Sequence, residues 1–123
     1  MDQNKKKTLV LGASANPERY SFLAVNSLRK HGHPVEAIGN KIQQIGDITI
    51  GTEKKFFGDI DTVTLYLNPL HQKAYYDYIL KLQPRRIVFN PGTENEELMA
   101  LAQSQNIQTQ EACTLVLLST GQY

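Results

Sequence analysis

Short runs of β-branched and aliphatic residues recur at Thr8–Leu11, Val35–Ile38, Val63–Leu67 and Ile87–Phe89, and stretches with helical spacing separate them. No other feature of the chain restricts its fold so much. Parallel strands need a connection long enough to lay a helix across the sheet, and strands buried on both faces read as unbroken apolar runs. Phe22, Val25 and Leu28 recur at helical spacing with Ala24 beside them, as far as His31-Gly32-His33-Pro34. There Gly32 can take the left-handed conformation that closes a helix, and Pro34 forbids its continuation. Tyr75, Ile79 and Leu82 share one face of a helix predicted over residues 70–82. Leu98, Leu101 and Ala102 line a later helix, for which Thr93 and Glu96 stand in capping-box spacing. Short strands at Ile48–Ile50 and Ile107–Thr109, and a last helical turn within residues 111–119, complete the pattern. The expected fold is α/β: one domain over residues 1–123, with a Rossmann-like parallel sheet of about five strands and helices on both faces. The first strand is expected at its centre.

Composition narrows the function classes. A chain of 123 residues, 41% apolar and 20% charged, buries a core without disulfides or a structural metal. Its net charge of +1 does not suit a nucleic-acid or membrane-surface binder. No apolar stretch approaches the roughly 20 residues of a membrane span. The apolar residues Leu9 to Leu11 behind the basic start are too few for a signal peptide. The single cysteine, Cys113, excludes an internal disulfide framework and fits a reducing, cytoplasmic setting. The run Lys5-Lys6-Lys7 reads as a solvated leader.

Ligands of open parallel sheets sit beyond the carboxyl ends of the strands, where the strand order reverses. That singles out four loops: Gly12–Ser21, Gly39–Lys41, Leu67–Leu70 and Asn90–Thr93. Gly12, directly after the first strand, lets the chain turn tightly and bring amides close to a phosphate. Ser14 adds a hydroxyl there, and Arg19 a cation just before a helix that starts near Ser21. A dinucleotide fingerprint would hold three glycines where this loop holds one, and the same sequence also serves as a plain turn. The second loop carries Asn40 and Lys41 where an NAD-binding domain carries an acid. Lys41 suits a ribose that is itself phosphorylated, as in coenzyme A or NADP. The third and fourth loops hold Leu67, Asn68 and Pro69, and then Asn90, Pro91 and Gly92. These rigid turns can pack an adenine or act as ordinary strand exits.

The remaining chemistry is sparse. His31 and His33 flank Gly32 and read as capping or surface residues; without nearby Cys or carboxylates they make a poor zinc site. His71 follows the third loop as an early-helix polar residue near the ligand mouth. Glu94, Glu96 and Glu97 compensate a helix dipole, and Tyr75, Tyr76 and Tyr78 read as helix packing. Cys113 reads as a small buried hydrophobe, with a reactive thiol as the alternative. No catalytic residue and no metal ligand is assigned.

The stretch VLGASANPERYSFLAVNSLRKHGHPVEAIGNK resembles the opening of the small bacterial coenzyme A-binding domain proteins. DTVTLYLNP, FNPGTENEELMALAQSQNI and the late Cys113 extend the resemblance over nearly the whole chain. That family shares its fold with the N-terminal domain of the succinyl-CoA ligase α subunit. The resemblance implies a small-molecule nucleotide ligand, coenzyme A or an acyl-CoA. Gly12, Ala13 and Ser14 would meet its phosphates and Lys41 its 3′-phosphate, while Leu67, Asn68 and Pro69 border the adenosine end. The chain departs from the family at Gly39-Asn40-Lys41, where members often carry Asn-Pro-Lys, and in its uncharged tail. The residues by themselves leave two further readings open: an NADP-dependent reductase using the same loop and Lys41, and a ligand-free interaction module. Independent catalysis is not expected, and a protein partner or a homodimer is compatible with so small a domain.

Overall fold

The computed structural model describes residues 5–123. Seven strands form one sheet: β1 (Thr8–Leu11), β2 (Val35–Ile38), β3 (Gln43–Ile45), β4 (Ile48–Gly51), β5 (Thr62–Leu65), β6 (Arg86–Phe89) and β7 (Gln108–Glu111). Their order across the sheet is β3-β4-β2-β1-β5-β6-β7, and every pair is parallel except β3 with β4. The helices are α1 (Tyr20–Lys30), α2 (Pro69–Gln72), α3 (Tyr76–Leu82), α4 (Glu96–Ser104) and α5 (Thr114–Ser119). The fold is α/β and Rossmann-like, with β1 at the centre as expected, although the strands among the described residues number seven rather than about five.

The additional strand is an edge. Gln43 and Gln44 carry no apolar run, so periodicity passes over them, but Ile45 is buried and pairs with Ile48 across the Gly46-Asp47 turn. β3 returns the chain so that β4 can join β2 in parallel without a helical crossover.

The sheet faces explain the burial pattern. Leu9, Leu11, Val63, Leu65, Ile87 and Phe89 point to one face, where Ile79 and Leu82 of α3 and Leu98 and Ala102 of α4 cover them. Val10, Val35 and Ala37 point to the other, beneath Val25 and Leu28 of α1 and Leu118 of α5. Strands covered on both sides stay apolar at successive residues, which is why β1 reads Leu-Val-Leu.

Several boundaries differ from the sequence reading. β5 stops at Leu65, which leaves Tyr66 and Leu67 in the following loop. The helix predicted over 70–82 is broken into α2, a 3-10 turn at Lys73–Tyr75, and α3. Within that turn the Ala74 carbonyl accepts a hydrogen bond from Lys54 Nζ at 2.6 Å. α4 is capped by Asn95, whose Oδ1 accepts from the Leu98 amide at 3.1 Å, and not by Thr93. The Thr93 hydroxyl instead donates to the Asn90 carbonyl at 2.7 Å. The last strand lies at Gln108–Glu111, starting one residue and ending two residues later than predicted.

Candidate functional site

After β4 the chain crosses from one side of β1 to the other, so the strand order reverses at β1 and β5. Beyond their carboxyl ends lies a cavity of about 620 Å³, lined by residues of the loops after β1, β2, β5 and β6 and by the start of α1. That volume lies within the usual range for a small-molecule site.

Two glycines let these loops close on one another. Gly12 has φ +88°, and a Cβ there would stand 2.9 Å from the Tyr66 carbonyl carbon. At Gly39 a Cβ would stand 2.2 Å from the Ala13 carbonyl oxygen, closer than any contact can be. The loop after β1 is thus pressed between the loops after β2 and β5, and only hydrogen fits at either joint.

The main-chain donors of the first loop are mostly committed inside the protein. The Gly12 and Ala13 amides both donate to the Ile38 carbonyl at 2.9 Å, which departs from the expectation that they would face a phosphate. The Ala15 amide donates to Gln43 Oε1 at 3.2 Å, that of Asn16 to Ser14 Oγ at 3.1 Å, and that of Glu18 to Asn16 Oδ1 at 3.0 Å. Among the described residues, the amides of Ser14, Tyr20 and Ser21 have no acceptor. No side chain caps α1, and no acid stands in its first turn. The open donors and the positive end of the helix dipole therefore lie at the α1 side of the cavity, where an anion is best received.

The opposite wall is more apolar and is braced from behind. It carries Leu67, Tyr75 and Pro91, with Asn68 and His71 at its lip. Asn68 Oδ1 accepts from the His71 amide at 3.0 Å and so caps α2. Gln72, with no exposed surface, donates through Nε2 to the carbonyls of Leu67 and Thr93, both at 2.8 Å. Its Oε1 accepts from Asn95 Nδ2 at 2.9 Å. Asn90 acts in the same way between β5, β6 and the start of α5. Its Nδ2 donates to Thr64 Oγ1 at 2.7 Å and to the Leu65 carbonyl at 2.8 Å, and its Oδ1 accepts from the Thr114 amide at 2.8 Å. Sequence reading missed Gln72 and Asn95 as site residues; the only available signal was two amides beside Pro-containing turns. Tyr66 also lines the cavity. Its hydroxyl is buried beside Thr64 and Thr114, which bond each other, and among the described residues it has no hydrogen-bond partner; burial first, then Cys113, pushes its pKa up.

Of the residues singled out in the sequence, Gly12, Ala13, Ser14, Arg19, Ser21, Asn40, Leu67, Asn68, Pro91 and Gly92 all line the cavity. Lys41 and Pro69 do not; both are exposed next to lining residues. Arg19 is balanced by Glu18, the one acid among the lining residues. Cys113 is half-exposed rather than buried. His33 is buried rather than a surface residue: its Nδ1 accepts from the Lys6 amide at 2.9 Å, and its ring meets Tyr123 edge-on. The lysine run is anchored as well, with Lys5 Nζ donating to the His31 carbonyl at 2.6 Å and Lys7 lying 3.8 Å from Glu36.

The cavity thus lies at the switch point of a Rossmann-like sheet, the place where ligands of open α/β sheets sit. Residues 6–119 match the model of the CoA binding domain, and the chain belongs to that family. A solved structure of an uncharacterized protein is 45% identical over 97% of this chain and 98% of its own, with a TM-score of 0.94. A hypothetical protein from Pyrococcus horikoshii OT3 is 22% identical, covering 94% of this chain and 83% of its own at a TM-score of 0.84. A structure from Thermus thermophilus is 18% identical, covering 98% and 92% at a TM-score of 0.86. At such identities the last two show the fold alone. No curated protein matches the sequence. Among the described residues no helix is long and apolar enough to cross a membrane.

Proposed function

We propose that this chain is a single-domain cytosolic protein that binds coenzyme A or an acyl-CoA in the cavity at the carboxyl ends of β1, β2, β5 and β6, as a carrier or sensor without catalysis of its own. One observation carries the reading. In a member of the CoA binding domain family, the uncapped start of α1 and the open Ser14 amide face the switch point of the sheet. The diphosphate lies against those donors with Arg19 beside it. The adenosine end packs against Leu67, Asn68 and Pro69, and Lys41 reaches the 3′-phosphate from beside Asn40. The residues suit such a ligand by charge and by polarity: donors gather on one wall and apolar surface on the other.

Thermal stabilisation by coenzyme A, dephospho-coenzyme A, NADP and NAD tests this, since a ligand that binds only the folded state raises its melting temperature. Coenzyme A is expected to stabilise more than its dephospho form, and Lys41→Ala to erase the difference. An exposed charge pair of this kind contributes about 1 kcal/mol at most, so the difference is several-fold in affinity. Stabilisation by NADP alone overturns the assignment in favour of a reductase, and no shift with any of the four favours an interaction module.

A further inference from the structure

Among the described residues, the loop between β1 and α1 leaves one amide without an acceptor, that of Ser14, which lines the cavity. Two contacts from the β2–β3 side set the direction of that amide. The Ala13 carbonyl oxygen is pressed against Gly39, 2.2 Å from where a Cβ would stand. The peptides here are trans, and a trans peptide turns its carbonyl and its amide opposite ways. The Ser14 amide, which shares a peptide with the Ala13 carbonyl, therefore faces away from the loop after β2. The next peptide is held by Gln43 of β3, whose Oε1 accepts from the Ala15 amide at 3.2 Å across 28 positions of sequence. With the planes before and after Ser14 both held, its amide has one direction left. Gln43 achieves this from outside the cavity lining.

Gln43 is itself well anchored. It is the first residue of β3 and pairs with Ile50 of β4. Two positions on, Ile45 is buried in the cluster that holds Val25 and Leu28 of α1. Beyond the turn, Asp47 Oδ1 accepts from Arg29 Nε at 3.1 Å. The β3–β4 hairpin thus lies along α1, tied to the end of the helix through Asp47 and to the loop before it through Gln43. Three side chains accept from amides of that loop: Ser14 and Asn16 belong to the loop and move with it, whereas Gln43 stands on the sheet. A group on a paired strand holds a position more precisely than one on a loop.

We propose that Gln43 is a positioning residue for the anion side of the cavity: it holds the loop after β1 in the form that aims the Ser14 amide at a phosphate. The proposal rests on the coenzyme A reading for its ligand. A donor that is already aimed costs no ordering when the ligand arrives. Without Gln43 the Ser14–Ala15 peptide is free to rotate, and the ligand has to order the loop itself.

Amide hydrogen exchange of the full chain without ligand, resolved by residue with NMR, tests the contact, and calorimetric titration with coenzyme A tests its consequence. Gln43→Met keeps the side-chain length and removes the strong acceptor. It is expected to speed exchange at Ala15 about five-fold and to weaken coenzyme A binding about five-fold, the net worth of one hydrogen bond. Gln43→Thr, too short to reach but suited to a strand, serves where the first variant fails to fold, as judged by its melting curve. Gln43→Glu restores an acceptor and is expected to restore slow exchange at Ala15. Asp47→Ala loosens the same hairpin at its other end and is expected to leave exchange and affinity within about two-fold. Unchanged exchange at Ala15 in Gln43→Met overturns the proposal, and so does unchanged affinity. Continued fast exchange in Gln43→Glu overturns it too, as does an equal loss in Asp47→Ala, which makes the effect one of hairpin stability. If the wild-type chain binds no coenzyme A, the ligand reading fails, and exchange at Ala15 across the variants alone decides whether Gln43 holds the loop.

Discussion

At the scale of single residues, the site depends on two hydrogens that replace side chains. Gly39 has the Ala13 carbonyl at 2.2 Å from where a Cβ would be, and no flexible side chain is there to yield. Gly39→Ala is expected to cost about 1–3 kcal/mol, read from a urea unfolding curve, as overpacking does elsewhere. Gly51, the last residue of β4, is the control: a Cβ there meets nothing within 4 Å, and Gly51→Ala is expected to be neutral within about 0.5 kcal/mol. His33 sets the pH dependence. Burial first, and then the charges of Lys5, Lys6, His31 and Arg86, hold its pKa below the ordinary 6.5. The folded state selects the neutral ring, so on acidification the unfolded chain takes up the proton first. Stability is full above about pH 6.5 and falls as pH drops through the depressed folded value. Urea midpoints at neutral and at acid pH should show this loss, and His33→Gln should reduce it.

At the scale of elements, loops and helices were legible to the extent that their causes are local. β1, β2 and α1 follow from runs and spacing within a few residues, and Gly32 closes α1 with φ +81° as its position suggests. The break between α2 and α3 was not legible, because the contacts around it are distant in sequence: Lys54 bonds the Ala74 carbonyl, and Gln72 is drawn inward to Leu67 and Thr93. That inward amide holds the third and fourth loops at a fixed separation. Gln72→Met keeps the volume but leaves the Leu67 and Thr93 carbonyls without their donor, and Asn95 Nδ2 with the Tyr76 hydroxyl alone. It is expected to cost about 2–3 kcal/mol in denaturant unfolding, since orphaned buried polar groups forfeit their solvation. The same logic explains why Asn95 rather than Thr93 caps α4: the Thr93 hydroxyl is already committed to Asn90.

At the scale of the whole molecule, the cavity exists because the chain crosses to the far side of β1 after β4. If coenzyme A occupies it, ligand at a hundred times its dissociation constant adds about 2.7 kcal/mol, on the order of 10 °C in melting temperature for a chain of this size. The sequence alone determined the parallel sheet, the centrality of β1 and the four loops at its edge, because strand runs, helical spacing and turn residues act over short range. It also carried the likeness to a coenzyme A-binding family that residues 6–119 share. Tertiary structure decided which donors remain open. Gly12 and Ala13 give their amides to Ile38, Lys41 stays outside the lining, and the open amides are those of Ser14 and the start of α1. Each amide has one proton to donate, and whether it meets a neighbouring strand or a ligand depends on residues far away along the chain.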